Sequence, residues 1–280
     1  MKPAPFQYYA PTTADEALTL LAENADDGKL LAGGQSLVPA MNFRLAQPAA
    51  LIDLNGVPEL AYICAEGGGL QIGAMTRQRS LERSEQVAQV APLLAATMPY
   101  IAHTQIRNRG TLGGSLAHAD PAAELPAIMV ALGATFHLAN LEGRRVLGSA
   151  DFYQGLFTTA LEPDEMLVRI DIPALPAGSG WSFHEFARRH GDYAIVGVAA
   201  VVQVGAGGRC TDARLVYLSV GEGPTAAPKA AAALVGEAPT PATIAAAATS
   251  SLSFSRGVRN MLRPRANSTR AAAARHGEAR

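Results

Sequence analysis

Apolar residues recur at helical spacing through Ala14, Ala17, Leu18, Leu21, Ala22 and Ala25 behind a Thr13-x-x-Glu16 capping pattern. The first element predicted is therefore an amphipathic helix that ends near Gly28. A short apolar strand, Lys29-Leu30-Leu31, runs into Ala32-Gly33-Gly34-Gln35-Ser36, and a helical turn over 36–44 feeds a strand at 51–54. Together these make a strand, glycine loop and helix unit. Segments 62–66 and 70–74 flank Gly67-Gly68-Gly69 and read as a hairpin with a glycine turn. Helical segments follow to about His103. A second glycine loop, 107–121, then precedes an apolar helix from Pro121 to about Leu132, with Asp120 as its N-cap and Pro121 at the first helical position. Strands are predicted at 134–140, 166–172, 182–187, 196–204 and 215–220. The Pro/Gly stretch 173–180 is the expected domain boundary. From about Trp181 the pattern changes to a strand meander followed by two Ala-rich helices.

The chain has 280 residues, of which 49 % are hydrophobic, enough for a buried core and for two or three compact subdomains. Its 23 Lys+Arg and 24 Asp+Glu leave a net charge of -1, which provides no general electrostatic reason to bind nucleic acid or an anionic membrane. Its two cysteines, Cys64 and Cys210, exclude a disulfide scaffold, a structural zinc site and a four-Cys iron–sulfur cluster within this chain. Redox chemistry here must use a bound organic cofactor. No apolar run reaches the roughly 18 residues of a spanning helix, and the first residues lack the apolar core of a signal peptide, so the expected compartment is the cytoplasm. Segment 251–280 differs in kind: seven arginines against one acidic residue give it +6 and leave -7 on the preceding 250 residues. Its weak periodicity reads as a disordered tail or out-of-frame coding, with a polybasic interaction tail as the functional alternative.

Both glycine segments, Ala32-Gly33-Gly34-Gln35-Ser36 and Thr111-Leu112-Gly113-Gly114-Ser115, pair glycines with hydroxyl residues. Paired glycines permit unusual backbone angles and let amides approach an anion, and two such loops could grip the two phosphates of one dinucleotide. Each Gly-Gly taken singly also reads as a tight turn. Neither contains a P-loop lysine or a G-x-G-x-x-G fingerprint. Gly221-Glu222-Gly223-Pro224-Thr225-Ala226 matches G-x-G-x-x-A nominally, but its prolines and the absence of a surrounding βαβ unit leave it as a strand-to-helix connection. There is no G-x-S-x-G elbow. His118-Ala119-Asp120 is an incomplete metal shell, so His118 either orients a bound ligand or is an exposed loop histidine. Tyr193, after the Gly191-Asp192 turn, either packs in the core or stacks on a planar cofactor.

Three segments carry a resemblance: 32–44, 107–121 with its Thr-Leu-Gly-Gly-Ser-Leu-Ala-His-Ala-Asp run, and Arg189-His190-Gly191-Asp192-Tyr193-Ala194. Over roughly residues 1–250 the chain resembles the FAD-binding medium subunit of molybdenum hydroxylases, the xanthine dehydrogenase and carbon monoxide dehydrogenase superfamily. It is most similar to medium subunits of bacterial N-heteroaromatic hydroxylases such as quinoline 2-oxidoreductase, with Ser115 where many relatives have Asn. The resemblance implies an α+β fold: a PCMH-type FAD-binding domain over 1–178, with subdomains of about 1–55 and 56–178, and a sheet-plus-helices domain over 179–250. It implies that the pyrophosphate of FAD lies on Ala32, Gly33, Gly34, Gln35 and Ser36 and on Thr111, Leu112, Gly113, Gly114 and Ser115. Asp120 and Tyr193 match positions close to the flavin, and Leu161 matches one whose backbone faces the isoalloxazine ring. No catalytic or metal-ligating residue is implied in this chain.

In such complexes a large subunit holds the molybdenum cofactor and a small subunit holds two [2Fe–2S] clusters, whose electrons pass through FAD to an external acceptor. The two cysteines here agree with clusters housed elsewhere. The expected assembly is a heterotrimer paired twofold, hydroxylating an N-heteroaromatic substrate with water. The alternatives are a flavin subunit of a carbon monoxide dehydrogenase-like or aldehyde-oxidising enzyme, a self-sufficient FAD oxidoreductase of the vanillyl-alcohol oxidase type, and a flavin-free regulatory module. For the self-sufficient enzyme the chain is short and no residue is evidently placed for covalent flavin linkage.

Overall fold

A computed structural model describes residues 2–251; the expected basic tail, 251–280, lies outside the described residues apart from Ser251. The chain opens with β1 (Gln7–Tyr9), α1 (Ala14–Glu23), β2 (Gly28–Leu31), α2 (Leu37–Asn42) and β3 (Ala50–Asp53). The strands form a parallel sheet in the order β1-β3-β2. Thr13 caps α1 by accepting the Glu16 amide at 3.2 Å, while the Glu16 carboxylate turns back to the Thr12 amide at 2.8 Å, one residue upstream of the usual reciprocal partner. Ala17, Leu18 and Leu21 bury the apolar face of α1 against Ile52 and Leu54.

The next stretch contains β4 (Ile63–Glu66), β5 (Gly69–Gly73), α3 (Gln78–Arg83), α4 (Glu85–Val90), α5 (Pro92–Thr97), α6 (Thr104–Arg107), α7 (Leu112–His118), α8 (Glu124–Leu132), β6 (Thr135–Ala139), β7 (Arg144–Gly148), α9 (Ser149–Phe152), β8 (Tyr153–Gly155), β9 (Thr158–Thr159) and β10 (Met166–Ile172). An antiparallel five-stranded sheet has the order β4-β5-β10-β6-β7, so the last strand in sequence is the central one. Then come β11 (Ser179–Phe186), β12 (Val196–Val204), β13 (Cys210–Leu218), β14 (Thr225–Ala226), α10 (Pro228–Ala232) and α11 (Pro241–Ser251), with a four-stranded antiparallel meander β11-β12-β13-β14. The arrangement is α+β.

Helix α8 accounts for the packing. Leu125, Ala127, Ile128, Met129, Ala131 and Leu132 are all fully buried, and a helix apolar on every side must be covered on every side. One continuous core joins them to Ile72, Phe136 and Ile170 of the five-stranded sheet and to Ala199, Val201 and Val216 of the meander. Phe136 meets Phe152 edge to face, with centroids 4.8 Å apart.

The structure departs from the sequence reading in definite places. The second glycine segment is not a loop: Thr111 caps α7, so Leu112, Gly113, Gly114 and Ser115 form its first turn. Helix α8 starts at Glu124 rather than Pro121, because the Ala123 amide closes a turn on the Asp120 carbonyl at 3.0 Å and Ala123 itself stays extended. Asp120 caps that turn through the Ala122 amide at 2.9 Å, and not the helix. Strands β1 and β7 lie at sheet edges with polar or basic sequences, which hides them from a search for apolar runs. Segment 221–226 is a connection as read, with the short β14 folded back on β13. Replacing Phe136 by Ala should cost about 3–5 kcal/mol in chemical denaturation; a loss below about 1 kcal/mol would show that this ring is not central to the core.

Candidate functional site

Two glycine segments face one another across the first and second sheets. A Cβ built on Gly33 would stand 2.5 Å from the Arg109 carbonyl oxygen and 2.7 Å from the Gly110 Cα, so backbone lies directly on backbone. One on Gly114 would meet Thr111 Oγ1 of its own segment at 2.7 Å and the Ala32 Cβ of the first segment at 3.1 Å, and one on Gly113 the Ala74 Cβ at 2.6 Å. Of the four paired glycines only Gly34 has a positive φ, +74°. Unusual backbone angles therefore explain one glycine, and close approach explains the other three.

The two segments differ in what they offer. In the second, the amides of Leu112, Gly113, Gly114 and Ser115 donate to Thr76 O, Ala74 O, Thr111 Oγ1 and Thr111 O. In the first, the amides of Gly33, Gly34, Gln35 and Ser36 meet no acceptor among the described residues. Consecutive free amides about a left-handed glycine form an anion-binding concavity. Thr111 accepts from Gly114 yet keeps its own hydroxyl proton to donate.

These segments form part of the wall of a cavity of about 950 Å³, at the large end of small-molecule sites. Ala32, Gly33, Gly34, Gln35, Ser36, Thr111, Gly113, Gly114, Ser115, Asp120, Leu161 and Tyr193 all line it. Leu112 does not: its side chain is fully buried in the main core. Leu21, Ala25, Asp26, Lys29 and Leu30, from α1, β2 and the turn between them, also line it. Elsewhere on the wall are His118, Phe157 and the 191–193 turn.

Tyr193 is 72 % exposed, which overturns core packing as its role. Gly191, at φ +87°, seats that turn on Ala102 and the His103 ring. His118, exposed at the end of α7, packs its ring 5.2 Å from Phe157. Ala102, Ala119 and Phe157 hold positive φ values around this cavity, a concentration of backbone strain typical of functional sites. The Leu161 amide donates to Thr159 Oγ1 at 3.3 Å.

Glu124 and Phe157 were missed by the sequence reading. Glu124 is 8 % exposed on the cavity wall, and burial, reinforced by Glu185 and Asp120, pushes its carboxyl up to about 7. Its signal was a lone acid inside an otherwise apolar helical run. Phe157, at the tip of the β8–β9 hairpin, had no signal, because a left-handed phenylalanine cannot be read from composition. Although the Tyr193 side chain is largely exposed, the partial desolvation of its phenol against the cavity wall, together with Asp120 and Glu124, raises its pKa.

Residues 4–175 match the family described as FAD binding domain in molybdopterin dehydrogenase, and 181–255 match the CO dehydrogenase flavoprotein C-terminal domain. The chain belongs to this family. It is 46 % identical over 221 residues to the 6-hydroxypseudooxynicotine dehydrogenase complex subunit alpha of Paenarthrobacter nicotinovorans, covering 79 % of this chain and 75 % of that one. It is 44 % identical over 226 residues to caffeine dehydrogenase subunit beta of Pseudomonas sp. (strain CBB1), covering 80 % and 76 %. The solved quinoline 2-oxidoreductase from Pseudomonas putida 86 superposes with a TM-score of 0.85 at 43 % identity, over 90 % of this chain and 87 % of that chain. Carbon monoxide dehydrogenase from Hydrogenophaga pseudoflava superposes at 0.88 with 42 % identity, over 91 % and 88 %. The protein is an FAD-containing oxidoreductase subunit of the molybdenum hydroxylase type.

Gly34→Ala forces a left-handed alanine and crowds Val38 and Leu31 at 3.2 and 3.3 Å. It should weaken FAD binding about five- to thirtyfold in a flavin-fluorescence titration; unchanged affinity would remove the free-amide segment from the site. Glu124 gives a pH signature in the flavin-free protein. Its folded pKa lies above the unfolded value, so stability falls as pH rises from the ordinary carboxylate range to about 7 and stays low above it. Glu124→Gln should therefore raise the melting temperature at pH ~8 by several degrees and leave it unchanged near pH ~4. An equal effect at both values would contradict the assignment.

Proposed function

We propose that the chain is the electron-transfer subunit of a molybdenum-containing hydroxylase. It would take electrons from the [2Fe–2S] clusters of a small partner subunit, with the molybdenum cofactor and substrate pocket in a large one. The observation that carries the placement of FAD is the run of four free amides at 33–36, opening on a cavity large enough for a dinucleotide. Those amides, with the Ser36, Thr111 and Ser115 hydroxyls, hold the pyrophosphate. Leu112 contributes as core beneath the segment, not as a contact.

The flavin end lies toward Asp120, Leu161 and Tyr193. When bound, FAD supplies the electron-carrying isoalloxazine ring. Tyr193 covers part of one ring face and limits access of the acceptor, and the buried Glu124 and the Asp120 carboxylate set the local charge. Segment 1–178, in parts of about 1–55 and 56–178, is the FAD-binding unit, and 179–250 the second domain.

The substrate class is an N-heteroaromatic compound, hydroxylated with water. Support comes from relatives whose names specify 6-hydroxypseudooxynicotine, caffeine and quinoline. The working assembly is a heterotrimer paired as a dimer. Among the described residues no helix is long and apolar enough to cross a membrane, and the cytoplasm is the proposed compartment.

The test is purification of the chain with its co-expressed partners. The complex should carry one FAD per chain, released by acid precipitation, together with iron–sulfur absorption. A colourless complex, or flavin retained in the denatured pellet, would contradict the reading. Tyr193→Ala should shift the flavin absorption bands, speed or slow re-oxidation severalfold, and weaken FAD only about two- to tenfold, as expected for loss of one stacking contact. Unchanged spectrum and re-oxidation would place the ring away from the flavin.

A further inference from the structure

A hydrogen-bonded chain joins the two glycine segments from outside the large cavity. The Asn55 side chain donates to the Ala32 carbonyl at 3.0 Å and also to the Asp53 carboxylate. Asp53 in turn accepts the Asn55 amide at 2.9 Å and the Tyr8 hydroxyl at 2.6 Å. From the other side, Arg77 donates one guanidinium nitrogen to Asn55 Oδ1 and another to the Arg109 carbonyl.

That carbonyl is the atom against which Gly33 packs. The backbone of Arg77 is also bridged to Thr111, the cap of α7. A single residue thus engages Asn55 on the first segment's side, and Arg109 and Thr111 on the second. Neither Arg77 nor Asn55 lines the large cavity.

Asp53-Leu54-Asn55 follows β3 directly, so the parallel sheet fixes where Asn55 stands, while β5 and α3 fix Arg77. The guanidinium is suited to this because its planar fork can hold two acceptors at a set separation. The Asp53 carboxylate, lying beyond Asn55, orients that amide.

We propose that Arg77 and Asn55 are positioning residues that set the spacing between the two glycine segments, and with it the geometry offered to the pyrophosphate. The inference rests on the pyrophosphate placement above.

The test uses the full-length chain stripped of flavin, with FAD and ADP as probes, because ADP has the pyrophosphate but no isoalloxazine. Arg77→Met should weaken both ligands by the same factor, about 10- to 100-fold, the range for hydrogen bonds to a charged donor. Arg77→Lys, which can hold one acceptor at a time, should fall between. Adding Asn55→Ala to Arg77→Met should cost less than about threefold more, since both act through one linkage. The spectrum of flavin bound at saturation should be unchanged.

Wild-type affinity in Arg77→Met, loss of FAD without loss of ADP, or independent losses in the double variant would each overturn the proposal. If Arg77→Met does not fold, Asn55→Ala, at an exposed position, provides the same FAD and ADP comparison. Failure of the underlying reading has a different signature: the unsubstituted chain would bind neither probe, and the inference would fall with it.

Discussion

Everything at the site depends on two stretches of backbone being closer than side chains permit. Gly33 lies on Arg109 and Gly110, and Gly114 approaches Ala32, with no room for a methyl group on Gly33 unless the segments separate. This contact brings four amides of one segment beside the hydroxyls of the other. The amides find no acceptor among the described residues because the first segment is neither strand nor helix, whereas its partner engages its amides with the Thr111 cap of α7 and with the Ala74 and Thr76 carbonyls. In the proposed pyrophosphate site the labour is thereby divided: one side supplies N–H donors, the other supplies hydroxyls and a rigid seat.

The rest of the fold keeps those stretches in place. The parallel three-stranded sheet ends in the first segment, and β5 leads through Ala74 and Thr76 into contact with the second. Helix α8, buried on all sides, joins the five-stranded sheet to the meander, so the 191–193 turn reaches the same cavity. Ser219 reinforces that link, its amide donating to Pro121 O and its hydroxyl to Ala194 O, both at 2.8 Å. Arg107, 6 % exposed, pairs with Glu82 and holds the Ile101 carbonyl at 2.7 Å, steadying another part of the wall.

Much of this was legible in the sequence. Helical apolar periodicity identified α1, although it ends at Glu23 rather than near Gly28, a short apolar run marked β2, and two long apolar strands were bounded correctly at Met166–Ile172 and Val196–Val204. The residues of the glycine motifs, Leu112 excepted, line one cavity, and the resemblance named the cofactor that the family match supports. Strands β1 and β7 were not legible, because edge strands bury too little to show alternation. The second glycine segment was misread as a loop because Gly-Gly lowers helix propensity; tertiary packing on Ala74 outweighs that cost. Leu112 shows the limit of transferring a motif residue by residue: inside a binding signature, it is a core side chain. Tyr193 and Glu124 required three dimensions, since exposure and burial at a cavity wall depend on elements distant in sequence.

The claim that interlocked backbones build the site is tested most directly by a double-mutant cycle on FAD affinity, using Gly33→Ala and Gly114→Ala. The Gly33 methyl presses on Arg109 and Gly110, and the Gly114 methyl on Ala32 across the same seam as well as on the Thr111 hydroxyl of its own segment, so once one has separated the two segments the other should do little further harm across the seam. The account predicts that the second substitution costs less than about threefold in either order, although each alone costs tenfold or more, roughly the scale of one disrupted close contact. Losses that multiply independently would contradict it, showing that the segments bind the cofactor as separate sites and not as one interlocked surface.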